Sequence, residues 1–143
     1  MRVLILHVDR FLCRVTERGR SRVFEEPELR EIELVEGLVV LTSIEERDEG
    51  SLEEVCELGA DEIGKLAGNL KVTRVLIHPF AHLFGDLSSP QVAVNGLRLL
   101  AKKLSDRGFR VQRTPFGWFN TLEIRAKGHR LSRVARIITA DRR

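Results

Sequence analysis

Two histidines four residues apart, His78 and His82, are the first residues whose types and spacing suggest chemistry. They lie in the segment HPFAHL, which follows an apolar run ending at Ile77, and open α/β sheets often place sites where a strand breaks into a loop. A zinc site is disfavoured, because Pro79 pushes His78 toward extended geometry and no glutamate or cysteine completes a ligand set. The pair therefore either serves a metal-free site or ties a loop together by hydrogen bonds.

Two further segments combine a turn with side chains that suit RNA. The segment PFGWFN, residues 115–120, is a tight turn with aromatic residues that can stack on a nucleobase or a ribose. Trp118 or Phe119 can equally belong to the core, because neighbours in a strand alternate between its two faces. The segment KGH, residues 127–129, suits phosphate or carboxylate, or else is a plain solvated turn.

Motifs for covalent catalysis are missing from the sequence. It contains no G-x-S-x-G elbow, no phosphate-binding loop, no dinucleotide-binding glycine pattern and no placed Cys/His pair. A hydrolase with this sequence is therefore expected to position a water molecule instead of attacking its substrate covalently.

Apolar and branched stretches predict the strands that position these segments. The predicted strands are Arg2–His7, Phe11–Val15, Glu33–Ile44, Val72–Ile77, Phe109–Gln112 and Thr121–Ile124. The second is expected to pair with the first after a turn through residues 8–10. The charged residues 18–27 are expected to form a surface loop or hairpin.

Helical spacing predicts two long helices. The first begins at Ser51, which forms a capping box with Glu54, and stops near Gly68. The second begins at Ser89, with a proline in its first turn, and ends at Gly108.

A short third helix is predicted over Leu131–Ile137. The expected fold class is therefore α/β, with a strand-built sheet, two long helices and a short C-terminal helix in one domain over residues 1–143. The composition agrees, with 43% hydrophobic and 31% charged residues.

The cysteines and the lack of long apolar runs predict a cytoplasmic protein without a membrane segment. No run reaches the length of a membrane helix, and the apolar start is too short for a signal peptide. Cys13 and Cys56 stand in no metal or redox spacing, which predicts two buried thiols, with a disulfide as the alternative.

Charge is distributed unevenly along the chain. Residues 25–62 contain fifteen acidic and two basic residues, whereas residues 98–143 contain thirteen basic and three acidic ones. The basic half can face a polyanion such as RNA, or it can form an ordinary ion-paired surface.

Four segments in order, MRVLILHVD, HPFAHL, PFGWFN and KGHRLSR, resemble the N-terminal editing domain of archaeal threonyl-tRNA synthetases. The resemblance covers Met1 to about Ile138. It implies a fold related to D-aminoacyl-tRNA deacylases, usually as a homodimer, and hydrolysis of seryl-tRNA(Thr) with threonyl-tRNA(Thr) spared. The expected partners are the serine-carrying 3′ end of tRNA(Thr) and the catalytic and anticodon-binding parts of a synthetase, and no cofactor or metal is expected.

The resemblance also implies the residues of the site. His82 would orient water or the ribose, while the 2′-OH of the tRNA and main-chain groups help to activate the water. The residues expected to bind substrate are His7, Asp9, Phe80, Ala81, Pro115, Phe116, Gly117, Phe119, Lys127 and Arg133.

Three positions depart from the family pattern. Phe119 stands where the family commonly has a second aromatic with a hydroxyl, Asn120 where it has lysine, and Arg133 where it has glutamate. Asn120 is expected to act in catalysis through hydrogen bonds alone, because it carries no charge. The alternatives are a D-aminoacyl-tRNA deacylase, whose S-Q-x-T-like and G-P-x-T-like segments are missing here, and a non-catalytic tRNA-binding appendage.

Overall fold

This computed structural model describes residues 1–140. They contain six strands and two α-helices. In chain order they are β1 (Arg2–Arg18), β2 (Glu31–Ser43), α1 (Leu52–Leu70), β3 (Arg74–Pro79), α2 (Pro90–Asp106), β4 (Arg110–Arg113), β5 (Trp118–Ala126) and β6 (Arg133–Ile137), with one 3₁₀ turn at Glu46–Asp48. The prediction of a single domain also covers residues 141–143, which lie outside the described residues.

β1 is one unbroken strand of 17 residues, so the predicted turn through residues 8–10 is wrong. β2 pairs antiparallel with β1 from Arg2 to Arg14. The opposite edge of β1 is shared, because β6 pairs with residues 2–6 and β5 with residues 8–18. The polar residues Asp9 and Arg10 resemble a turn in sequence, but they continue the strand, with a register shift against β5 between Val8 and Arg10.

The predicted C-terminal helix over Leu131–Ile137 is also wrong, because residues 133–137 form β6. Val134 is buried, whereas Arg133 and Ala135 on either side of it are exposed. Val134 is paired with Ile5 of β1. A run this short fits the spacing of a helix as well as the alternation of a strand. It forms a strand because it pairs with the edge of β1 that β2 leaves free.

The sheet has the order β4-β3-β2-β1-β5, with β6 beside the first part of β1. β3 is parallel to both β2 and β4, whereas β1 is antiparallel to its three neighbours. Helices α1 and α2 cover one face, where the main core includes Ile5, Ile63 and Leu100. A second apolar cluster, centred on Phe11 and Leu76, fills the other face.

Cys13 and Cys56 are buried free thiols, as predicted, and they belong to the two different apolar clusters. Burial raises the pKa of Cys13 to about 11 and that of Cys56 to about 12. Both sulfurs are therefore protonated near neutral pH and are poor nucleophiles. In the described part of the chain, no helix combines the length and the apolar character needed to cross a membrane.

The two long helices begin where predicted, but only one has the expected cap. The Ser89 side chain accepts a hydrogen bond from the amide of Val92 at 3.4 Å. Ser51 makes no such bond, because its φ of −147° and ψ of 37° differ from the extended geometry of Ser89, so the predicted capping box with Glu54 is wrong. Helix α1 also runs past Gly68 to Leu70, and its C-cap residue Lys71 has a left-handed φ of 57°.

The unequal caps predict unequal stability changes. Ser89→Ala is expected to lower the free energy of unfolding by about 1 kcal/mol, because an amide at the start of α2 loses its partner. Ser51→Ala is the matched control and should cost only a few tenths of a kcal/mol. Urea denaturation of both variants measures the difference, and equal losses would contradict the assignment.

Candidate active site

A pocket of about 400 Å³ lies where the carboxyl ends of β2 and β3 meet the start of α2 and the turn between β4 and β5. Residues 80–82 line one side, and we call them the loop wall. Residues 115–120 line the pocket as well, and we call them the turn wall. The pocket therefore brings together two segments that are more than thirty residues apart in the chain.

Eight of the twelve predicted site residues line this pocket. They are Phe80, Ala81, His82, Pro115, Phe116, Gly117, Phe119 and Asn120. The other four, His7, Asp9, Lys127 and Arg133, are not among its lining residues.

The loop wall is attached to the end of β2 by main-chain hydrogen bonds. The amide of Phe80 donates to the carbonyl of Thr42 at 2.9 Å, and the amide of Ser88 donates to the carbonyl of Ile44 at 3.1 Å. These two bonds fix both ends of the loop. His82 is exposed, and its ring stands edge-on to that of Phe80 with 5.5 Å between the ring centroids.

The turn wall depends on Gly117, which has a φ of +90°. A Cβ at this position would lie 2.7 Å from the Cβ of Phe24, so both the backbone conformation and the close packing favour glycine. Trp118 is only half-buried and Phe119 is 58% exposed, so neither is a fully buried core residue. The Asn120 side chain donates to the carbonyl of Trp118 at 3.5 Å, a long bond that leaves the amide available to a ligand.

His78 differs from His82 because it is buried at 3% exposure. Its Nδ1 lies 2.7 Å from the hydroxyl oxygen of Thr114, and burial lowers the pKa of His78 to about 4. His78 is therefore neutral near pH 7 and ties β3 to the residue before the turn wall. Within residues 1–140, no group of three or more His, Cys, Asp or Glu side chains is placed to hold a metal ion.

Neutral groups dominate the pocket. Among its described lining residues there is no carboxylate, lysine or cysteine, and the ionisable side chains are Arg20, His78 and His82. The hydroxyl of Thr42 donates to the carbonyl of Val40, and that of Ser43 has no hydrogen-bond partner in the described structure. This lining suits a small polar ligand and a positioned water.

Sequence reasoning missed several lining residues, including Arg20, Thr42 and Ser43. Thr42 and Ser43 end the strand next to β3, so the rule that sites lie at the carboxyl ends of neighbouring strands could have found them. Arg20 lies in the long loop after β1, and no sequence signal connects that loop with the pocket.

Three of the four remaining predicted residues belong to a separate polar cluster beside β1. His7 Nδ1 lies 2.8 Å from His129 Nε2, and Lys127 bonds to the carboxylates of Asp9 and Glu36. The hydrogen bond from Lys127 is the main cause that lowers the pKa of Asp9. Burial, followed by the charges of His129 and Lys127, lowers the pKa of His7. These side chains bond to one another, and none of them lines the pocket. Their role in binding substrate stays a prediction.

Arg133 lies on β6 and is exposed. Its Nη1 donates to the hydroxyl of Ser132 at 3.2 Å. Its role in substrate binding stays a prediction.

Comparison with known proteins identifies the family. The profile described as "Archaea-specific editing domain of threonyl-tRNA synthetase" matches residues 1–138. The chain belongs to this family. It is 37% identical over 141 residues to the threonine–tRNA ligase of Methanopyrus kandleri, covering 99% of this chain, and 37% identical over 140 residues to that of Methanocaldococcus jannaschii, covering 98%. The chain spans 22% of the length of either relative.

A solved structure supports the fold of the editing domain. The "c-Myc DNA Unwinding Element Binding Protein" superposes with a TM-score of 0.63, covering 98% of this chain and 100% of that one. At 14% identity this likeness concerns the fold alone. It agrees with the predicted mixed α/β fold.

The burial of His78 predicts how stability changes with pH. The folded-state pKa of about 4 lies below the ordinary 6.5, so the unfolded chain binds a proton that the folded chain does not. Stability is therefore expected to fall by up to about 3 kcal/mol as pH drops from 6.5 toward 4. His78→Asn should remove this part of the pH dependence, whereas the exposed control His82→Asn should retain it. Denaturation midpoints at pH 7 and pH 5 measure the effect, and identical pH dependence in the two variants would refute this account of His78.

Proposed function

We propose that this domain hydrolyses seryl-tRNA(Thr), releasing L-serine and sparing threonyl-tRNA(Thr). The observation that carries the proposal is the pocket between the loop wall and the turn wall, whose described lining has no carboxylate, lysine or cysteine, in a domain of the editing family. Its volume of about 400 Å³ lies near the small end of the range for ligand sites. Such a site suits an amino acid ester at the end of an RNA strand.

The need for such a site follows from the similarity of serine and threonine. The two amino acids differ by one methyl group, and a synthetic site built for threonine rejects serine by only about 1–3 kcal/mol. A second pocket that admits serine but is too small for the threonine methyl removes the error. The two sites then act as a double sieve.

The lining residues favour hydrolysis by a positioned water. In the proposed reaction the water oxygen bonds to the ester carbonyl carbon, the bond from that carbon to the ribose oxygen breaks, and the proton lost by water ends on the ribose oxygen. The 2′-OH of the terminal adenosine and main-chain groups assist this transfer. His82 orients the water or the ribose, and the Asn120 amide donates a hydrogen bond to the developing oxyanion.

The proposal also names partners. Arg20 lines the pocket, is exposed and has no acidic partner in the described structure, so it is available to a phosphate of the 3′ strand. The reaction proceeds in the cytoplasm without a cofactor. We further propose a homodimer and cooperation with the catalytic and anticodon-binding parts of a threonyl-tRNA synthetase.

The decisive assay compares three charged tRNAs. The chain is expected to release serine from seryl-tRNA(Thr) at least about tenfold faster than threonine from threonyl-tRNA(Thr), since one methyl group in a tight pocket discriminates by that order. D-tyrosyl-tRNA should be hydrolysed at the background rate. Faster release of D-tyrosine would favour the D-aminoacyl-tRNA deacylase. Salt-dependent tRNA binding without any turnover would favour the non-catalytic appendage.

A further inference from the structure

Residues 23–25, from the loop between β1 and β2, contact the turn wall and do not line the pocket. The amide of Glu25 donates to the carbonyl of Phe116 at 3.0 Å, and the indole nitrogen of Trp118 donates to the carbonyl of Glu25 at 2.7 Å. The amide of Gly19 donates to the carbonyl of Gly117 at 2.8 Å. The loop therefore bonds to three consecutive residues of the turn wall, and its residues 23–25 are not among those that line the pocket.

The Glu25 carboxylate adds a second set of bonds at the same place. One oxygen accepts from the Phe116 amide at 3.2 Å and from Arg113 Nη1 at 2.9 Å. The other accepts from Arg113 Nη2 at 2.7 Å and from Arg98 Nε at 3.1 Å. Because Arg98 belongs to α2 and Arg113 ends β4, this one carboxylate connects a helix, a strand and the turn wall.

Glu25 is ionised in this setting, although its side chain is only 9% exposed. Burial by itself raises the pKa of the carboxyl group. The hydrogen bonds and charge of Arg113, the Phe116 amide and Arg98 outweigh burial, so the net pKa of Glu25 lies below its ordinary value. The paired arrangement with Arg113 is the bidentate geometry that gives strong, directional hydrogen bonds.

We propose that Glu25 is a positioning residue that sets the selectivity of the pocket for serine over threonine. The proposal rests on the function proposed above. Glu25 is not among the residues that line the pocket, so it acts through the turn wall and not on the substrate.

The physical reason is the small difference between the two amino acids. A pocket that admits serine and rejects threonine because of one methyl group needs walls that do not move apart by the size of that group. The Phe116 amide and carbonyl both bond to Glu25, which is outside the pocket lining, and the Gly117 carbonyl accepts from the Gly19 amide. As long as Glu25 is in place, the turn wall resists the displacement that a threonine methyl would require.

The test compares Glu25→Ala and Glu25→Gln with wild type. Rates of release from seryl-tRNA(Thr) and threonyl-tRNA(Thr) are measured for each protein. The ratio of kcat/KM for serine to that for threonine is expected to fall at least about tenfold in Glu25→Ala, with an absolute gain in threonine release. The ratio for Glu25→Gln should lie between those of wild type and Glu25→Ala. Glutamine keeps an oxygen for the Phe116 amide but loses the charge paired with Arg113. A gain in threonine release is an effect that destabilisation alone does not produce.

Glu57→Ala is the matched control. Glu57 also pairs with two cations, Lys103 and Arg107, but it lies on α1 and does not line the pocket. Its loss should leave the serine-to-threonine ratio unchanged. Hydrogen exchange of the Phe116 amide, measured by NMR in the same proteins, should be faster in Glu25→Ala and unchanged in Glu57→Ala.

The outcomes separate this proposal from the proposed function. If wild type releases no serine above background, the proposed function fails, and the exchange of the Phe116 amide still shows whether Glu25 holds the turn. If wild type is selective and either folded Glu25 variant keeps both the wild-type ratio and slow exchange, the positioning role of Glu25 is overturned. If Glu25→Ala does not fold, Glu25→Gln supplies both readouts.

Discussion

The connection between β4 and β5 is the constraint on which the rest of the structure depends. These strands lie at opposite ends of the order β4-β3-β2-β1-β5, yet only residues 114–117 join them. In a flat sheet, four spacings between neighbouring strands would separate these edges by about 19 Å. The five steps from Arg113 to Trp118 span at most about 18 Å when fully extended, and this segment contains a turn. The sheet must therefore curl until its edges approach each other.

The curl explains why the pocket has two walls from distant parts of the sequence. The loop wall follows β3, and the turn wall is the connection that bridges the edges of the sheet. His78 links the two sides through Thr114, and Glu25 holds the turn wall from behind. Both contacts use buried polar groups outside the chemistry itself. The described lining of the pocket thus has no carboxylate, lysine or cysteine, while the ionised Glu25 supports the turn wall without lining it. This suits a reaction carried by water, main-chain groups and the RNA.

Much of the fold and part of the site could be predicted from the sequence, for identifiable reasons. The positions of α1 and α2 followed from apolar spacing with a serine at each start. The eight predicted residues that line the pocket were implied by the resemblance of two segments to a known family. The division of β1 into two strands was wrong because Asp9 and Arg10 have the polarity of a turn, and only pairing with neighbours on both edges shows that the strand continues. The predicted helix at residues 131–137 was wrong because residues 133–137 pair with β1 and form β6. The role of Glu25 could not be predicted, because its hydrogen-bond partners lie 73 to 93 residues away in the chain.

The central claim is that serine binds between the loop wall and the turn wall. The most direct measurement is a structure of the chain with a non-hydrolysable analogue of 3′-seryl-adenosine. The account predicts that the serine side chain lies between Phe80–His82 and Pro115–Asn120, with the 2′-OH of the ribose facing the ester position. Binding of the serine group at the cluster of His7, Asp9 and Lys127, with the pocket left empty, would contradict it.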